Sequence, residues 1–224
     1  MTKTPQKYNY AVIATDIAIF TMQNEQLKVL LIKMKKAPYT GSWALPGGLI
    51  KGDENLDDAA ERILLDKAGL SHVYLEQLYT FGRVDRDPFG RVVSVSYFAL
   101  IPNSGITPKT SSEYSEIAWF SVKNLPKLAY DHKEIVQAAI QRLQSKLSYT
   151  NIIYGLLPKE FTLGELQTIY EIILGKKLDK RNFRKKILSL KLVKKLNRKK
   201  STGPNRPAEL YCFTQSKPQL VDIL

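Results

Sequence analysis

The chain has 224 residues, 44% of them hydrophobic and 25% charged, and a formal net charge of +13. That is a globular composition with room for one large core or two modest ones, and no apolar run approaches the ~20 residues of a membrane span. The start MTKTPQKYNY holds no apolar signal core, and one cysteine with two separated histidines leaves nothing for a disulfide or a zinc cluster, so a cytoplasmic chain without a membrane partner is expected.

Along the first part, YAVIATDIAIF (10–20) and LKVLLIKMK (27–35) are apolar strands joined by a polar turn. Asp16 interrupts the first; it either has a buried partner or marks a bend into solvent. The loop WALPGGLIKGDE (43–54) leads into a helix with apolar residues at 56, 59, 60, 63, 64 and 68, close to a period of 3.6. Gly69 followed by Leu70 is a left-handed stop. RVVSVSYFAL (91–100) alternates as a strand, with Val93, Val95, Tyr97 and Ala99 on one face and Ser94, Ser96, Phe98 and Leu100 on the other. EIAWFSV (116–122) is a further short strand and HKEIVQAAIQRLQSKL (132–147) an amphipathic helix.

The texture changes near 150. Thr162 and Glu165 have the spacing of a capping box, opening a helix, and Asp179 caps a second, KRNFRKKILSL. KLVKKL (191–196) and ELYCF (209–213) then flank a basic loop, NRKKSTGPNRPA. Two helices followed by a hairpin with a basic tip outline a winged helix-turn-helix. Cys212 falls in the last strand and takes no role. Charge follows the same division: residues 1–149 hold 18 Lys and Arg against 15 Asp and Glu, whereas residues 150–224 hold 16 against 6. A basic excess of this kind points to a polyanionic partner; a solvated lysine-rich surface is the alternative.

On the second basic helix, Phe183, Ile187 and Leu190 share one side at about 100° per residue. Lys180, Arg181, Asn182, Arg184 and Lys185 are left for a partner. Arg and Lys can read guanine edges and Asn adenine edges in a major groove. Arg198, Lys199, Lys200 and Arg206 stand where a wing would add phosphate contacts. These nine residues are the candidate DNA-binding set.

The spacing of Gly48, Glu54, Arg62, Leu64, Gly69 and Leu70 resembles the Nudix box, G-x5-E-x7-R-E-U-x-E-E-x-G-U, a loop–helix–loop that in its family holds divalent metal against a diphosphate. The three glutamates of the pattern, at i, i+3 and i+4 on one helix face, are here Ile63, Asp66 and Lys67. Magnesium needs carboxylate oxygens at short range; Ile63 offers none and Lys67 brings a cation. The sequence therefore predicts no catalytic residues, no structural metal, and at most weak magnesium binding with no required cofactor. Trp43, Gly47 and Gly48 of the approach to the box remain, and Arg83, Arg86 and Arg91 gather about the turn FGRVDRDPFGRVV. Forked hydrogen bonds from three arginines could clamp phosphate or a sugar; a charged hairpin tip is the other reading. These six are the candidate ligand-binding residues.

Taken together, the degenerate box, DRDPFGRVVSVSYFAL (85–100) and LPKEFTLGELQTIYEIILGKKLDKRNFRKKIL (157–188) resemble the Nudix-related transcriptional regulators of the NrtR family along nearly the whole chain. The resemblance implies an α+β architecture: a Nudix-fold α/β/α sandwich over residues 1–149 as effector sensor, then a winged helix over 150–224 that binds DNA. It also implies a homodimeric repressor on a palindromic operator, with ADP-ribose or a related nucleotide sugar as effector and a tie to NAD metabolism. Members from Bacteroidetes are similar through the same segments but answer to arabinose, which leaves a pentose-responsive regulator of sugar use as a second reading. An active Nudix hydrolase of a nucleoside diphosphate derivative and an RNA-binding adaptor are the readings from other classes.

Overall fold

The structure is a computed structural model that describes residues 10–102, 113–201 and 207–223. Strands β1 (Val12–Gln23) and β2 (Gln26–Met34) form a hairpin. Its two turn residues, Asn24 and Glu25, both have φ near +50°, the twist that suits a two-residue loop. Next come the short strands β3 (Trp43–Ala44) and β4 (Gly47–Leu49), helix α1 (Leu56–Ala68), and strands β5 (Tyr74–Phe81), β6 (Val92–Leu100) and β7 (Tyr114–Ser121). Helix α2 (His132–Tyr149) closes this part. The mixed sheet has the order β3-β2-β1-β6-β5, with β4 also on β1 and β7 also on β2; β1 and β6 run parallel.

Both faces of the sheet are covered, which is why β1 reads as a continuous apolar run. Ile17 and Ile19 face α1, packing with Ala60, Ile63 and Leu64. Ala18 and Phe20 face α2, packing with Ile135, Val136 and Ala139. Helix α1 ends as its sequence predicts: Gly69 has φ 67°, and its N–H and that of Leu70 bond the carbonyls of Leu65 and Leu64. No strand was expected over 74–81. Its alternation is broken by a register shift between Gln77 and Tyr79, and of its side chains only Leu78 is buried.

The second part begins with a 3-10 turn (Ile152–Gly155) and continues through β8 (Phe161–Thr162), α3 (Leu163–Leu174), α4 (Lys180–Ser189), β9 (Val193–Lys200) and β10 (Ala208–Phe213). Its sheet has the order β8-β10-β9. Both predicted caps form. Thr162 Oγ1 accepts from the Glu165 N–H at 3.1 Å while the Glu165 carboxylate accepts from the Thr162 N–H at 2.7 Å. Asp179 Oδ1 accepts from the Asn182 N–H at 2.8 Å. One expectation is corrected: Arg198, Lys199 and Lys200 lie not in the loop but in β9, which stays paired with β10 as far as Lys200↔Ala208. Arg206 lies outside the described residues.

The two parts share one core. Leu143 and Leu147 of α2, Ile152, Phe161, Leu166 of α3 and Phe183 of α4 belong to a single buried cluster. At Gly155 a Cβ would stand 2.8 Å from Leu100 Cβ and 3.2 Å from Tyr74 Cβ, so the turn can press this close to β5 and β6 only without a side chain. Among the described residues no helix is long and apolar enough to cross a membrane.

Candidate ligand pocket and nucleic-acid interface

The loop–helix segment carrying the degenerate box keeps its scaffold and loses its acidic face. Arg62 donates through Nε to Glu54 Oε2 at 2.8 Å and through Nη2 to Glu54 Oε1 at 2.5 Å and to the Leu49 carbonyl at 3.1 Å. The Lys51 N–H adds a bond of 2.8 Å to the same carboxylate. The Arg62 hydrogen bonds, then that of Lys51, hold the Glu54 carboxyl at about 2, and its work is to tie the loop to the helix. Ile63 is fully buried, within van der Waals reach of any atom added at Gly48. Asp66 is exposed and 3.9 Å from Arg62 Nη1. Lys67 pairs with Glu113 and lies 5.1 Å above the Tyr114 ring. Among the described residues no three His, Cys, Asp or Glu side chains converge as a metal ion would require.

Beside this segment lies a cavity of about 510 Å³ between the start of β1, the β4 loop, the turn before β6 and the start of α2. Its walls are apolar, with Val12, Ala14, Ile32, Leu45 and Val92 among them. Its floor is a buried charge network. Arg86, 4% exposed, donates through Nε and Nη2 to the two oxygens of Asp131 at 2.9 and 2.7 Å, and through Nη2 to Asp16 Oδ2 at 3.1 Å. Ser94 Oγ donates to the same Asp16 oxygen at 2.7 Å. His132 Nδ1 accepts from the Leu45 N–H at 2.8 Å; the ring proton therefore sits on Nε2, 3.4 Å from Asp16 Oδ1. Burial pushes the Asp16 carboxyl up, but His132, Ser94 and Arg86 outweigh it and hold the group at about 2. Asp16 thus has buried partners and the strand does not bend outward. Gly47 is fixed by this arrangement: it pairs with Asp16 across β4 and β1, and a Cβ there would stand 2.1 Å from Asp16 Oδ1.

The structure separates the six residues singled out as ligand-binding. Gly47, Gly48, Arg86 and Arg91 line the cavity. Trp43 does not; it packs edge-on to Phe120 at 4.6 Å, with Lys33 above its ring. Arg83 points outward and pairs with Asp85 and Glu134. Arg91 spends Nη1 on the carbonyls of Gly82 and Arg83, tying the base of the hairpin. The three arginines therefore do not converge on one point, because the turn sends Arg83 outward, Arg86 inward and Arg91 along its base. Among the described contacts Arg86 Nη1 has no protein partner and remains for a ligand, as do Nε and Nη2 of Arg91. The sequence reading missed Asp131, His132 and the aromatic wall of Phe89, Tyr114 and Tyr130. The Asp-Pro-Phe-Gly turn was the available signal for Phe89.

On the other part, α4 buries Phe183 and Ile187, the former against Tyr170 at 5.2 Å. Lys180, Arg181, Asn182, Arg184 and Lys185 are exposed, and among the described residues none of the four cations has an ion-pair partner. Lys186 is held by Asp222 at 3.0 Å. The β9 cations differ: Arg198 pairs with Glu160, Lys199 with Glu209 at 3.6 Å and Lys200 with Glu165 at 2.7 Å.

Comparison with known proteins covers both parts. The NUDIX domain model matches residues 13–139 and the NrtR DNA-binding winged helix domain model residues 153–213. The ADPR responsive transcriptional repressor NtrR of Acinetobacter baylyi is 41% identical over 215 residues, 93% of this chain and 85% of that protein. The ADP-ribose pyrophosphatase of Methanocaldococcus jannaschii is 33% identical over 121 residues, 54% of this chain and 70% of that protein. Shewanella oneidensis NrtR in complex with a 27mer DNA superposes with a TM-score of 0.81 at 34% identity, covering 90% of this chain and 93% of that one. Its NUDIX domain in complex with ADP ribose gives 0.56 at 33% identity over 64% of this chain and 99% of that one.

Proposed function

Since the chain belongs to the NrtR family of Nudix-related transcriptional regulators, we propose that it is a repressor released from operator DNA by ADP-ribose or a related nucleotide sugar. Residues 1–149 bind the effector in the cavity, and residues 150–224 bind DNA through α4 with the β9–β10 hairpin as wing. One observation carries this reading: a cavity floored by buried charge and a helix of unpartnered cations sit on one continuous core. The cavity volume falls in the range of drug-sized ligands, which favours a nucleotide sugar over a free pentose.

As a homodimer, the protein places two α4 helices in successive major grooves, about 34–36 Å apart, on a palindromic site. Effector in the cavity shifts the separation of the two helices only through its differential affinity for the free and DNA-bound states. Hydrolysis is not part of this function. The face that would hold magnesium presents a buried isoleucine and a lysine engaged by Glu113, a donor set that does not fit a divalent ion, and Glu54 is committed to Arg62. No cofactor is needed, and the cytoplasm is the natural location.

The test is fluorescence anisotropy on DNA from upstream of the chain's own gene, with random DNA at the same salt as control. Preference for the upstream DNA and its release by ADP-ribose, with L-arabinose inert, is the expected result. Release by L-arabinose alone supports the pentose reading, and magnesium-dependent breakdown of ADP-ribose supports the hydrolase.

A further inference from the structure

Phe89 is 74% exposed, an unusual position for a phenylalanine, and it stands at the mouth of the cavity. The turn that carries it is built rather than loose. Asp87 Oδ1 accepts from the Phe89 N–H at 2.8 Å, Pro88 precedes it, and Gly90 takes φ 144°, a conformation that glycine alone adopts readily. The ring is thus held out beside the opening on a fixed support. The guanidinium of Arg91, tied by its Nη1 to two carbonyls, forms part of the same lining.

The cavity floor sets the direction in which a ligand must lie. The floor offers one free donor, Arg86 Nη1, beside the carboxylates of Asp16 and Asp131; a sugar hydroxyl can accept from the guanidinium and donate to a carboxylate, whereas a diphosphate can only accept. A sugar with free hydroxyls belongs there. A diphosphate belongs further out, and whatever follows the diphosphate reaches the mouth. We propose that Phe89 is the stacking platform for the purine base of the effector, a specificity contact that rests on the nucleotide-sugar reading of the pocket. Stacking on an exposed ring needs a planar partner and little else, which is what this position supplies.

The experiment is calorimetric titration of the full-length wild type with ADP-ribose, followed by Phe89→Ala, Phe89→Leu and Phe89→Trp. Phe89 packs against little, so all three variants fold, which thermal melts verify. The expected order keeps Trp within about threefold of wild type, whereas Ala and Leu each lose roughly ten- to a hundredfold. Leucine binding as tightly as phenylalanine overturns the proposal, because apolar area without a ring would then suffice. So does a flat series, or an alanine variant whose sedimentation shows a changed oligomeric state. A wild type that fails to bind ADP-ribose refutes the pocket reading itself, whereas wild-type binding with a flat series refutes only the role of Phe89.

Discussion

The cavity floor and the exposed face of α4 handle charge in opposite ways. On the floor, two carboxylates and a guanidinium are buried and mutually satisfied, with one η-nitrogen of Arg86 left over. On α4, four cations stand in solvent with no ion-pair partner among the described residues. Buried charges must be paired to be tolerated, and pairing gives them a fixed geometry, which suits recognition of one small molecule. Solvated cations cost little and remain available for a polyanion. The wing lies between these limits, since its Arg198, Lys199 and Lys200 face solvent but are each met by a carboxylate.

Breaking the floor should have the largest effect. Arg86→Ala leaves Asp16 and Asp131 buried without their cation and is expected to lower stability by about 3–5 kcal/mol, read from denaturant unfolding; a loss below 1 kcal/mol would mean that the network is already solvated. Acid probes the same network less severely. The Asp16 carboxyl is held at about 2 against an ordinary value of 3.8, so its stabilisation is fully present above about pH 4 and is lost as pH falls through about 2. That amounts to about 2 kcal/mol. An Asp16→Asn variant should show a correspondingly flatter stability–pH curve in that window.

The other side of the comparison is sharpened on DNA. Arg181→Ala should reduce discrimination between operator and random sequence by ~1–3 kcal/mol if it reads a base; an equal loss on both would make it a phosphate contact. Smaller still is the difference between helix and wing. Lys185→Ala should lower the salt slope of binding by about one. Lys200→Ala should lower it by less, because Glu165 already competes for that ammonium. Equal slopes for the two variants would show that the wing pairs open freely.

Signals confined to a few neighbouring residues were legible in the sequence. The capping box at Thr162, the Asp179 cap, the left-handed Gly69 and the apolar stripe of α1, Ile63 included and the exposed Leu56 apart, appear as read. The strand content of 74–81 was not, because a bulge breaks its alternation. Nor was the pocket floor. Arg86 meets Asp131 and Asp16 across 45 and 70 residues, and nothing local to the turn says that Arg86 points in while Arg83 points out. Asp131 and His132 read as an ordinary helix start, and only the packing of α2 against the sheet brings them to Asp16. The wing was underestimated for a related reason: Arg198 to Lys200 look like loop until β10 is there to pair with them.

The coupling of cavity and DNA-binding face is tested most directly by reciprocity. Operator affinity should be measured with and without saturating ADP-ribose, and ADP-ribose affinity with and without saturating operator. The two ratios must agree, and both are predicted to show antagonism by the same factor. ADP-ribose binding of equal strength on free and operator-bound protein would contradict the account.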